Sequence, residues 1–226
     1  MALTPSTTTQ YTAEHFVESA GAILFKQSTR EVCLVYRLST GQWLLPKGRR
    51  NVREARAAAA LREVAEETGY QCRLLPLTMT TRAPPATEAA NCPDKPRVHL
   101  GVCEPFMVTC RPLGGVNNLK IIWWYIAAIY EDESPGAGEK QFEVRFFDFE
   151  EAERQLTFAA DRDVVRKAIQ IFDANYARPG EASIQTARCS RIARDMDSVK
   201  EAGDHGGHAQ LAGAEPAMAP GAYSSG

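Results

Sequence analysis

An α/β sandwich built on a mixed β-sheet is the fold class this sequence predicts. Short apolar runs of strand type recur between about residues 17 and 148. Segments with helical spacing at 55–68, 150–156 and 161–172 fall between and after them, where they can cover a sheet. The chain has 226 residues, enough for one sizeable domain and tails.

Residues 1–14 are rich in Thr and Ser and read as a disordered N-terminal tail. The runs "VESAGAILF" and "EVCLVYRL" read as strands joined by "KQSTR", and "QWLLP" as a short strand ending at Pro46. Residues 55–68 read as a helix: Ala57 to Ala60 favour it, and Gly69 is placed to end it in a left-handed cap. "CRLLPLTM", "EPFMVTC", "LKIIWWYIAAIY" and "FEVRFFDF" read as further strands. Between the first two of these, residues 81–98 hold four prolines and no periodicity, which predicts a long loop. The compact domain is expected over 15–176. Residues 177–226 turn to Ala, Gly, Ser and Pro, with Tyr223 the one aromatic residue after Tyr176, and read as a mostly disordered tail, with "CSRIARDMDSVKEA" compatible with a short helix.

Composition excludes several classes. The chain is 44% hydrophobic and 24% charged, and its net charge of −2 gives no bulk reason to expect a nucleic-acid polymer or a membrane as partner. The longest apolar run, 121–130, is far short of the roughly 20 residues a spanning helix needs. Lys26 is the first basic residue, so the start lacks a secretory or transit pattern, and an intracellular, cytoplasmic or nuclear setting is expected. The six cysteines, Cys33, Cys72, Cys92, Cys103, Cys110 and Cys189, show no CxxC spacing and read as thiols.

The chemistry lies in "GRRNVREARAAAALREVAEETGY", residues 48–70. At about 100° per residue, Glu63, Glu66 and Glu67 fall within about 100° of one helical arc, beside a core-facing arc of Ala57, Leu61, Val64 and Thr68. Grouped carboxylates repel, so something positive is expected there. Hard oxygen ligands on one arc, left open by the small Ala59, suit Mg²⁺ or Mn²⁺. The plain alternative is a solvated acidic face.

Gly48, five residues, Glu54, seven residues, then Arg62 to Tyr70 as "REVAEETGY" resembles the Nudix box with every defining position filled. The resemblance covers about 17–175. It implies a Nudix α/β/α sandwich and a pyrophosphohydrolase that cleaves a diphosphate linkage. It also implies divalent metal on Glu63, Glu66 and Glu67 with the Gly48 backbone close by, Arg62 orienting a glutamate, and Glu54 as a further ligand or a partner of Arg62. Many family members add a late-loop carboxylate. Glu139 and Glu143 are the candidates for a catalytic role here, with Asp132 and Glu133 more distant, and each also reads as a solvated loop acid.

Basic residues crowd the box: Lys47, Arg49, Arg50, Arg53 and Arg56. In an acidic chain they suggest a phosphate-binding patch, which Arg82 and Lys120 could extend. Pairing with nearby glutamates is the alternative for any one of them. "LLPKGR" and "SAGAILF" resemble hydrolases of diadenosine polyphosphates and of diphosphoinositol polyphosphates. A tyrosine common in the former is absent at 86–88, which reads Ala-Thr-Glu. Pro85 stands where many ADP-ribose pyrophosphatases have proline, in a loop too Pro-rich for this to discriminate. Trp43, Trp123 and Trp124 could stack on a base but sit in strand-like runs, where tryptophan is more often core. A small-molecule polyphosphate is therefore the expected partner, a dinucleoside polyphosphate first and a diphosphoinositol polyphosphate next. A nucleotide housecleaning enzyme and a non-catalytic ligand-binding module are the contrasting readings.

Overall fold

The computed structural model describes residues 8–85, 87, 93–114 and 118–177. The chain divides into two units, Met1–Ala177 and Arg178–Gly226. The possible helix at 189–202, the 177–226 tail beyond Ala177, and Cys92 and Cys189 lie outside the described residues. The elements run β1 (Phe16–Lys26), β2 (Glu31–Arg37), β3 (Gln42–Leu44), β4 (Lys47–Arg49), α1 (Arg56–Thr68), β5 (Cys72–Leu74), β6 (Leu77–Thr81), β7 (Arg97–Val102), β8 (Met107–Leu113), β9 (Asn118–Ile129), β10 (Phe142–Asp148), α2 (Phe149–Gln155) and α3 (Ala159–Tyr176).

An eight-stranded sheet follows the order β10-β2-β1-β9-β5, with β3 on β2, β4 on β1 and β8 on β9. The β1–β9 pair is parallel and the other pairs antiparallel, so the sheet is mixed as expected. Successive side chains in a strand point to opposite faces, and both faces are apolar. Ala20, Ala22, Leu24, Tyr125 and Ala127 pack with Ala59, Ala60 and Val64 of α1. Ile23, Phe25, Val32, Leu34, Ile122, Trp124 and Ile126 pack with Val164, Val165, Ala168 and Phe172 of α3. This is an α/β/α sandwich.

Several local expectations are corrected. "CRLLPLTM" is two strands, β5 and β6, separated by Leu75 and Pro76; β5 joins the main sheet, while β6 pairs with β7 in a separate sheet that has two strands among the described residues. Pro76 lacks the N–H a continuous central strand would need. β7 begins at Arg97, inside the stretch read as loop. Ala59 does not open the glutamate face: it is fully buried against the sheet. Among the described residues no helix is long and apolar enough to cross a membrane. Cys33, Cys72, Cys103 and Cys110 are free thiols.

Candidate active site

The pairing of β4 with β1 and the packing of α1 on the sheet bring the box residues together. β4 lies along β1 with Gly48 opposite Ala20, and α1 packs on the same face. The backbone of Gly48 approaches Glu63 so closely that a Cβ there would lie 1.7 Å from Glu63 Oε2. One residue earlier, the Lys47 N–H donates to Glu67 Oε2 at 2.9 Å. α1 ends at Gly69, whose φ of 77° is left-handed and whose N–H donates to Ala65 O.

Arg62 ties the carboxylates to each other and to β4. Its Nε donates to Glu54 Oε1 at 2.8 Å and its Nη2 to Glu54 Oε2 at 3.0 Å. Nη1 donates to Glu63 Oε1 at 2.8 Å and to Glu66 Oε2 at 2.7 Å, and Nη2 also reaches the Arg49 carbonyl at 2.9 Å. A planar fork of donors suits this multiple grip. The hydrogen bonds from Arg62 hold the Glu54 carboxyl below the usual carboxylate range.

Burial works the other way on the glutamates nearest the core. Glu67 is only 6% exposed, and burial pushes its carboxyl up to about 7 against the pull of Lys47, with Glu63 and Glu139 adding repulsion. Burial also raises Glu63, outweighing the lowering from Arg62. A buried and a half-buried carboxylate, Glu67 and Glu63, beside a third, Glu66, call for a compact counter-charge.

Among the described residues, no three His, Cys, Asp or Glu side chains form a ready metal-binding group. Arg62 engages one oxygen each of Glu63 and Glu66, while Glu67 accepts from the Lys47 N–H. Each carboxylate keeps a second oxygen. The donor set is all hard oxygen, and the missing Cβ at Gly48 leaves the backbone against Glu63. Residues of this kind fit Mg²⁺ or Mn²⁺.

Of the late-loop acids, the structure brings Glu139 to the box and not Glu143. The Glu139 N–H donates to the Glu66 carbonyl at 2.9 Å, and Gly136 N–H to the Gly69 carbonyl at 2.8 Å, so this loop docks on the end of α1. Glu139 is close enough to raise both Glu63 and Glu67. Glu143 lies on β10 opposite Tyr36, on the sheet face away from α1. Asp132 and Glu133 are exposed in the turn after β9.

The box cations divide into two groups. Arg50 and Arg56 are internal braces. Arg50 Nε donates to Glu18 Oε2 at 2.9 Å, and Arg50 Nη1 reaches the Asn51 and Glu54 carbonyls. Arg56 Nε donates to Glu18 Oε1 at 2.8 Å while its guanidinium lies 4.2 Å over the Trp123 ring, and Trp123 Nε1 donates to the same oxygen. Burial works to raise the Glu18 carboxyl, but these bonds keep it below the usual range. Glu18 was legible only as a charge inside a strand-like apolar run. Arg50→Gln is expected to cost about 1–3 kcal/mol of stability, because a mostly buried carboxylate loses a partner. Urea denaturation measures this, and the Michaelis constant should move little.

Lys47, Arg49 and Arg53 are not so occupied: Lys47 is half-buried, Arg49 and Arg53 are exposed, and Arg53 holds a positive φ of 65°. Arg82 pairs with Asp94 at 3.2 Å. Lys120 is half-buried and shifted downward, first by burial and then by Lys47, Arg111 and Arg49. Arg111 is thus a cation the sequence reading missed, since nothing local ties it to the box.

A family model described as "NUDIX domain" matches residues 15–168. Among solved structures, the chain is similar to a NUDIX hydrolase from Nitrosomonas europaea at 13% identity, over 74% of this chain and 94% of that one, with a TM-score of 0.45. It is similar to the E. coli dihydroneopterin triphosphate pyrophosphohydrolase at 14% identity, over 67% and 94%, with a TM-score of 0.47. It is also similar to the C. elegans Ap4A hydrolase at 17% identity, over 67% and 95%, with a TM-score of 0.43.

Proposed function

As a member of the NUDIX domain family the chain is a pyrophosphohydrolase, and we propose that it cleaves a diphosphate linkage in a highly anionic small molecule, first a dinucleoside polyphosphate, with the help of Mg²⁺ or Mn²⁺. The observation that carries this reading is the grip of Arg62 on Glu54, Glu63 and Glu66 beside the Gly48 backbone, with Glu67 held at the edge of β4. A decorative acidic surface has no use for three carboxylates locked by one guanidinium beside a fourth that is buried.

Glu63, Glu66 and Glu67, with the Gly48 backbone, would hold the divalent ion. When bound, such an ion neutralises phosphate charge and makes a coordinated water more acidic. Arg62 holds one oxygen each of Glu63 and Glu66 and so limits the directions their carboxylates can take. Glu139, tethered through its backbone to Glu66, would take up the proton that the attacking water gives up. Lys47 and Arg49 neutralise and orient substrate phosphates.

One observation favours a dinucleoside polyphosphate and another the alternative, a diphosphoinositol polyphosphate. A groove of about 390 Å³ lined by Met79, Phe106, Met107 and Trp123 offers apolar walls for a base. Yet the tryptophans are engaged: Trp124 is 1% exposed, Trp43 stands edge-on to Phe147, and Arg56 covers a face of Trp123. A substrate panel with Mg²⁺ and with Mn²⁺ decides. Diadenosine polyphosphates or diphosphoinositol phosphates should give the highest kcat/KM, well above ADP-ribose, NADH and nucleoside triphosphates. Preference for ADP-ribose, or no hydrolysis of any panel member, contradicts the proposal.

A further inference from the structure

Strand register places four cations on one face of the sheet, the face opposite α1. Residues paired across neighbouring strands point to the same side. Ser19 pairs with Arg49 of β4 and with Ile122 of β9, and Ile122 pairs with Thr109 of β8. In the next rows, Val17 pairs with Lys120 and Lys120 with Arg111, while Gly21 pairs with Lys47 and with Trp124. The side is fixed by Gly21, whose Cβ would meet Lys47 Cβ and Trp124. Lys47, Arg49, Lys120 and Arg111 therefore surround Ser19 across β4, β1, β9 and β8.

Three features of this face are unexplained by folding alone. Arg111 and Lys120 stand directly opposite each other, a like-charge pair that destabilises a sheet. Among the described residues none of the four closes an ion pair; Asp161, buried in the first turn of α3, acts on Lys47 and Arg111 but leaves positive charge in excess. The Ser19 hydroxyl, fully buried at the centre, has no hydrogen-bond partner among the described residues, which is uncommon for a buried polar group.

The face also touches the carboxylate site. Glu67 accepts from the Lys47 N–H at the edge of β4, and its charge acts on Lys120. β4 thus divides two surfaces that meet at its edge, carboxylates on one side and cations on the other.

We propose that Lys47, Arg49, Lys120 and Arg111, centred on Ser19, form a phosphate subsite that takes the substrate phosphates beyond the cleaved diphosphate and so selects for phosphate number. The proposal rests on the diphosphatase reading above. Four cations against one aspartate suit a ligand carrying several negative charges, and phosphate oxygens give charge-assisted bonds to each.

Inorganic tripolyphosphate, titrated calorimetrically into the full-length protein in EDTA, probes this site without metal or turnover. Wild type should bind it, and Arg111→Gln and Lys120→Gln should each weaken binding at least ~10-fold. Lys167→Gln, the same charge change at an exposed position of α3, should not. In kinetics, both variants should raise KM for the longest-chain substrate more than for a two-phosphate substrate. The subsite is overturned if wild type does not bind tripolyphosphate, if Arg111→Gln and Lys120→Gln bind as tightly as wild type, or if Lys167→Gln loses as much. Wild-type tripolyphosphate binding that Arg111→Gln and Lys120→Gln weaken, in a protein that hydrolyses no diphosphate, would refute the enzymatic reading and leave the subsite standing. Efficient hydrolysis with unaltered tripolyphosphate binding would do the reverse.

Discussion

Glu67→Gln should lower kcat at least ~100-fold while the protein stays folded, on the scale seen for ligand and supporting changes at metal sites. Glu67 is nearly buried, and its carboxyl is pushed up to about 7 by that burial. The amide keeps the size of the side chain, and its carbonyl oxygen can still accept from the Lys47 N–H that now binds Glu67 Oε2. It removes one of the charges that repel each other across Glu63, Glu67 and Glu139. Without metal the variant should therefore be as stable as wild type, or slightly more so. What it loses is an anionic donor for a cation. Turnover on the best panel substrate, with thermal melts to establish folding, measures both sides of this expectation. Wild-type turnover would remove Glu67 from the site.

Gly48→Ala is the second large effect, and it acts through Glu63. The new methyl would lie 1.7 Å from Glu63 Oε2 and 2.1 Å from Glu63 Cδ. Those atoms end a flexible side chain, so the glutamate swings away and the backbone of β4 stays paired with β1. Stability should change by less than ~2 kcal/mol, within the usual range for single substitutions. The catalytic constant should fall by about 10–100-fold, because Glu63 leaves the position that Arg62 fixes. Glu63→Gln supplies the control. If the two substitutions act on the same group, their combination should cost little more than the worse of them. Additive losses would mean that Gly48 serves some other purpose.

Much of this site was legible because its spacing is local. Glu63, Glu66 and Glu67 share an arc by helical period alone, and Gly69 marks the end of the helix from its own chemistry. The strands β1, β2, β9 and β10 announced themselves as apolar runs. What stayed hidden depends on pairing. β4 is Lys-Gly-Arg, with no strand propensity of its own, and exists because it lies against Ser19 to Gly21. Arg50 and Arg56 looked like phosphate ligands; their partner Glu18 lies 32 and 38 residues away. Arg111 becomes a neighbour of Lys120 only through the register of β8 on β9. Glu139 was separable from Glu143 only once the docking of its loop on α1 was known.

The central claim is that Glu63, Glu66 and Glu67 form a divalent-cation site, and metal-linked stability tests it most directly. A ligand that binds only the folded state at 100 times its dissociation constant contributes about 2.7 kcal/mol. In a chain of this size that corresponds to roughly 5–10 °C in melting temperature. Melting wild type and Glu67→Gln in EDTA and at saturating Mn²⁺ should show a rise of this order for wild type and a clearly smaller one for the variant. Equal stabilisation of the two proteins, or none in wild type, would contradict the assignment.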